Sequence, residues 1–82
     1  MLYINYQTLF DLRDKYPNKK NLISSIMYYF FTNNDCFSLN SKYLYLNGIF
    51  AESDIYEIFK ELDFPEIVQV LTYNGKTILR FK

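Results

Sequence analysis

Histidine and tryptophan are absent from this 82-residue chain, which has one cysteine, two glycines and two prolines. Without histidine there is no side chain of the kind that most often acts as a general base near neutral pH. Ser-His and Cys-His nucleophile pairs and every histidine-containing metal site go with it. Cys36, standing alone, makes neither a disulfide framework nor a multi-cysteine metal centre, and it fits a reducing compartment. Gly48 and Gly75 are isolated, each beside an asparagine, so no glycine-rich loop is present to cradle a phosphate. The longest apolar run, Ile26 to Phe31, has six residues, against the roughly 20 that a membrane helix needs. The start, Met1-Leu2-Tyr3-Ile4-Asn5, has neither the basic nor the apolar segment of a secretory signal. These absences predict a cytosolic protein with no membrane segment, no catalytic residues, no metal and no cofactor.

What the chain has in quantity is aromatic side chains, nine tyrosines and eight phenylalanines, within a composition that is half apolar. One domain of this length buries about 60 to 65% of its unfolded surface. Each aromatic ring can bury about 150 to 250 Å², so they can make a dense core but cannot all fit inside it. Some must lie at the surface, where tyrosine serves interfaces well. The residues Phe, Tyr, Met, Ile, Asn and Lys, whose codons are AT-rich, dominate, whereas Gly, Ala, Arg and Pro are scarce. That skew suggests a low-GC genome.

A net charge of zero hides an uneven distribution. Six of the nine acidic residues, Glu52, Asp54, Glu57, Glu61, Asp63 and Glu66, fall between positions 52 and 66, where Lys60 is the only base. Lys19 and Lys20 stand near the head of the chain, and Lys76, Arg80 and Lys82 in its tail.

The two prolines mark element boundaries. Thr8 to Lys15 reads as a short helix with Thr8 as N-cap and Leu9, Leu12 and Tyr16 at helical spacing, ended by Pro17. Asn18 can cap a second helix running to about Thr32, with an apolar stripe of Leu22, Ile23, Ile26, Met27 and Phe30. Ser41 to Leu46 alternates like a strand, with Asn47-Gly48 as a hairpin turn, but a short helix closed by Gly48 fits too. Ile55, Ile58, Phe59 and Leu62 then repeat at i, i+3, i+4 and i+7 in a third helix, capped by Ser53 or Asp54 and ended at Phe64-Pro65. Finally, Ile67 to Tyr73 and Lys76 to Lys82 flank Asn74-Gly75, and a two-residue turn pairs Tyr73 with Lys76, Leu71 with Ile78 and Gln69 with Arg80. Val68, Val70, Leu79 and Phe81 face the core. The opposite face carries Gln69, Leu71, Tyr73, Lys76, Ile78, Arg80 and Lys82.

The expected fold is a single α+β domain over residues 1–82, about three helices with a C-terminal β-hairpin. From Asn40 onward it resembles a winged helix-turn-helix domain. Tyr43, Leu44, Gly48, Ile49, Ile55, Ile58 and Leu62 look like its apolar and turn positions, and Ile67 to Lys82 looks like its wing. Leu44 stands where that family usually has a small residue, and Phe50 where it usually has a Ser-like cap. The resemblance would make 52–66 the DNA-reading helix, and its acidic charge argues against sequence-specific duplex DNA there, since neutralising phosphates supplies most of the affinity.

Three surfaces are candidates for binding. Asp54, Glu57 and Glu61 form one acidic stripe, either an ordinary solvated helix face or a surface for a basic partner. In Tyr28-Tyr29-Phe30-Phe31 the four residues cover all sides of a helix, so Tyr28, Tyr29 or Phe31 must turn outward, toward a partner protein or under the N-terminal segment 2–6. The hairpin's Tyr73, Lys76, Arg80 and Lys82 combine aromatics and cations in the manner used for single-stranded nucleic acid, or form a plain exposed sheet face with edge lysines. Lys19 and Lys20, cations in a helix's first turn, oppose its dipole and mark either a nucleic-acid contact or a neutral surface turn.

Together these features predict a small non-enzymatic accessory protein that binds a larger protein, with a DNA replication enzyme of a mobile element as the plausible partner and the hairpin holding template strand. At the level of class it is similar to small accessory proteins of low-GC mobile elements, such as the companion of the family A polymerase on staphylococcal cassette chromosomes. The alternatives are a free-standing single-stranded nucleic-acid-binding protein and a phage-encoded inhibitor of a host enzyme.

Overall fold

A computed structural model of the chain describes residues 2–82 and shows an α+β domain with three α-helices and two small antiparallel sheets. Helix α1 covers Tyr6–Lys15, and Asn5 caps it by accepting the backbone N–H of Gln7 at 2.9 Å. The cap is therefore three residues earlier than Thr8, because Asn5 is extended and its amide oxygen reaches the open first turn. A 3₁₀ turn, Pro17–Lys19, leads into α2, Lys20–Thr32, with no side-chain cap from Asn18. Leu22, Ile23, Ile26 and Phe30 on α2 are buried, in keeping with the apolar stripe. Asn34 and Asp35, both with left-handed backbone, then turn the chain into strand β2, Cys36–Phe37. This strand pairs antiparallel with β1, Leu2–Tyr3.

The open choice at 41–47 resolves as strand β3, Tyr43–Asn47, with Leu44 and Leu46 buried and Tyr43, Tyr45 and Asn47 exposed. Asn47-Gly48 does not close a hairpin. Gly48, at φ +118°, ends the strand, and its N–H donates to the Gly75 carbonyl at 2.9 Å. A Cβ there would meet the Phe50 ring at 2.9 Å. Helix α3, Glu52–Glu61, follows with Ala51 at its N-cap and neither Ser53 nor Asp54 capping it through the side chain. Strand β3 thus stands between α2 and α3, and one helix separates it from the hairpin.

Strands β4, Ile67–Tyr73, and β5, Lys76–Phe81, form the hairpin in the predicted register. Asn74 and Gly75 both have positive φ, 51° and 73°, as a type I′ turn requires. Strand β5 is central, in the order β3-β5-β4. An irregularity between Ile67 and Gln69 shifts the phase at the start of β4. As a result Ile67 is buried opposite Phe81, and Val68, expected in the core, is exposed.

Buried residues of the three helices, of β2 and of the three-stranded sheet form one hydrophobic core. In that core the rings of Phe30, Phe37, Phe59 and Phe81 pack against the partly buried Phe64, with centroids 5.2 to 5.8 Å from it. Phe64 belongs to no helix or strand, yet it links α2, α3, β2 and β5. No helix of the described residues is long and apolar enough to cross a membrane.

Candidate nucleic-acid interface

Pairing of β3 with β5 opposes Tyr43 to Arg80, Tyr45 to Ile78 and Asn47 to Lys76. Pairing of β4 with β5 opposes Gln69 to Arg80, Leu71 to Ile78 and Tyr73 to Lys76. Paired residues share a sheet face, so these nine side chains form a grid of three rows on the face opposite the buried Leu44, Leu46, Leu79 and Phe81. The grid holds three tyrosines, two cations, two aliphatic side chains and two amides, and no carboxylate. Tyr43 and Tyr45 lie stacked, with centroids 6.5 Å apart and ring planes 26° from parallel. Arg80 is held by its Nε donating to Gln69 Oε1 at 3.2 Å, and Tyr73 is 67% exposed.

Along β3 this face runs into an open groove of about 730 Å³ between α2 and the strand. Ser25, Tyr28, Tyr29 and Thr32 line it from the helix, Tyr43, Tyr45 and Asn47 from the strand, and Lys76 from the hairpin. Ser25 Oγ donates to the Asn47 carbonyl at 2.9 Å and ties the two walls together. Burial raises the pKa of the Tyr29 hydroxyl, helped by the nearby Tyr45 and Cys36. Again no acidic side chain lines the groove.

The groove brings together Tyr28, Tyr29 and Lys76, which sequence reasoning had assigned to two separate surfaces. Tyr43 and Tyr45 were missed. Their alternation with Leu44 and Leu46 was visible, but the fact that they extend the hairpin face is a matter of strand pairing. Phe31, 74% exposed, is not among the groove residues, and Tyr28 is 57% exposed. Strand β1 lies beside β2, and Tyr28 and Phe31 stay open to solvent.

The acidic stripe has partners within the chain. Lys19 Nζ lies 3.3 Å from Glu57 and 3.7 Å from Asp54, with its side chain only 10% exposed. It also stands over the Tyr16 ring at 5.2 Å. Lys15 Nζ donates to Glu61 Oε1 at 2.8 Å. The Lys15 and Tyr16 hydrogen bonds hold the Glu61 carboxyl below the usual range, and the same contacts push Lys15 and Tyr16 up. Lys19 therefore sits on the acidic helix, while Lys20 is exposed in a second hollow with Arg13, Asp14 and Pro17. Lys82 is near Glu66 at 3.9 Å. Among the described residues no three His, Cys, Asp or Glu side chains gather to hold a metal ion.

No protein-family model, curated protein or solved structure matches this chain.

Proposed function

We propose that this is a small non-enzymatic binding protein whose working surface is the tyrosine face of the sheet with the adjoining α2–β3 groove, and that its ligand is single-stranded nucleic acid. The observation that carries this reading is the grid itself, with Tyr43, Tyr45 and Tyr73 spaced among Lys76 and Arg80 and no carboxylate beside them. Bases stack on tyrosine rings whatever their sequence, at about 1 to 3 kcal/mol each, and cations along the strand meet the phosphates. Duplex DNA fits less well, because its bases are already stacked and α3 presents carboxylates. The test is a mobility-shift titration of the isolated protein with single-stranded and duplex oligonucleotides at two salt concentrations. Salt-sensitive binding that favours the single strand is expected, and no detectable binding to either would overturn the proposal.

A second reading is favoured by the exposure of Tyr28 and Phe31 on α2. Here the protein is an accessory subunit of a larger enzyme, with a mobile-element polymerase or primase as the natural partner for something that holds template strand. A phage-encoded inhibitor of a host enzyme would use the same aromatics. Internal pairing by Lys15 and Lys19 lowers the weight of the acidic stripe in this reading. Loss of enzyme capture on Phe31→Ala, with nucleic-acid binding kept, would support it.

A further inference from the structure

We infer that β4 is an assembly edge, and that its partner is the β4 of a second copy of this chain, paired antiparallel about a two-fold axis at Val70. The two outer strands of the sheet are treated differently. At the open side of β3, α2 is tied on by the Ser25 hydroxyl on the Asn47 carbonyl. On β4 only Ile67 is buried, while Val68, Leu71 and Tyr73 are 40%, 46% and 67% exposed. Between Ile67 and Tyr73 there is no charge and no proline, and the one irregularity lies at its first residues. Apart from that irregularity, the edge lacks the usual features that keep strands from pairing.

The backbone directions follow from two hydrogen bonds. Phe81 N–H donates to the Lys42 carbonyl on the β3 side, and Lys82 N–H to the Glu66 carbonyl on the β4 side, both at 2.8 Å. Alternation along β5 then gives Arg80, Ile78 and Lys76 to β4, where Gln69, Leu71 and Tyr73 face them. The N–H and C=O groups of Val70 and Thr72 are left pointing to the open side.

A two-fold at Val70 sets each Val70 against its own copy, Leu71 against Gln69 and Thr72 against Val68, so no charge is buried. It also brings each Glu66, just before the strand, beside the other copy's turn at Asn74 to Lys76, where the charges are opposite. Val70, packed on the core yet partly open, gains cover. Because directly opposed residues share a face, the two tyrosine grids merge into one six-stranded surface. The dimer does not depend on what that surface binds.

Sedimentation equilibrium up to millimolar concentration should show monomer and dimer of the wild type. Like charges directly opposed destabilise strand pairing, so Val70→Lys and Val70→Glu should each be monomeric where the wild type is dimeric, and an equimolar mixture should regain a dimer. Thr72→Pro removes an outward N–H, leaves the bonds to β5 intact, and should be monomeric with an unchanged circular dichroism spectrum. A wild type that stays monomeric throughout would overturn the inference, as would a mixture that does not pair. If the Val70 variants fail to fold, a folded Thr72→Pro protein that still dimerises overturns it, and one that is monomeric upholds it.

Discussion

At Tyr6 one hydroxyl joins the start of α1 to the turn after α2, donating to Asp35 Oδ1 at 2.5 Å. Burial, and after it the hydrogen bond and charge of Asp35, push the Tyr6 pKa up to about 12. The folded state therefore holds this proton more tightly than the unfolded chain, whose tyrosines ionise near pH 10. The contribution is complete below about pH 10 and is lost as pH rises through about 12. Denaturation midpoints should thus fall more steeply between pH 10 and 12 in the wild type than in Tyr6→Phe. Parallel curves would mean that this contact adds nothing. Thr77 is the one buried polar residue among those described, and its hydroxyl donates to the Gly48 carbonyl at 2.7 Å. Thr77→Val would leave that carbonyl unpaired and should cost about 1 to 3 kcal/mol in urea denaturation, with Thr77→Ser closer to wild type.

Among the elements, the hairpin was the most legible, because Asn74-Gly75 has an alternating run on both sides, where Asn47-Gly48 has one on a single side, and a two-residue turn fixes every pair behind it. The helical stripes of α2 and α3 were legible for a similar reason, their apolar period. Strands β1 and β2, two residues each, are too short to show a period. Phe64 looked like a helix terminator, since nothing local shows that a partly buried loop ring packs against four core phenylalanines. The phase shift that exposes Val68 follows from pairing with Phe81, not from the alternation of β4. The acidic stripe was visible, but its meeting with Lys15 and Lys19 depends on how α1 packs beside α3. From that packing, Glu57→Lys with Glu61→Lys should lower the melting temperature. The exposed Lys15–Glu61 pair contributes at most about 1 kcal/mol and should weaken with salt, while the Lys19–Glu57 pair, with its lysine nearly buried, is screened less. A melting temperature unaffected at low salt would show the stripe to be energetically idle within the fold.

For the whole molecule, a neutral net charge covers two unlike sides. On one, carboxylates of α3 are met by lysines of the neighbouring segment. On the other, tyrosines, Lys76 and Arg80 stand without carboxylates. If that second side holds a single strand through two or three phosphate contacts, the affinity should fall with salt at a log–log slope of about −1.4 to −2.1. Lys76→Glu should reduce that slope and weaken all sequences alike. Since the chain has no tryptophan, tyrosine is its emitting side chain, and bases stacking on Tyr43, Tyr45 and Tyr73 should quench it. The decisive measurement is a tyrosine-fluorescence titration with a single-stranded oligonucleotide, comparing wild type with a Tyr43→Ala, Tyr45→Ala double variant shown to be folded. Saturable quenching in the wild type, with affinity at least about tenfold weaker in the variant, is the predicted result, since each lost stack is worth about 1 to 3 kcal/mol. No quenching in the wild type, or equal affinity in both proteins, would contradict the account.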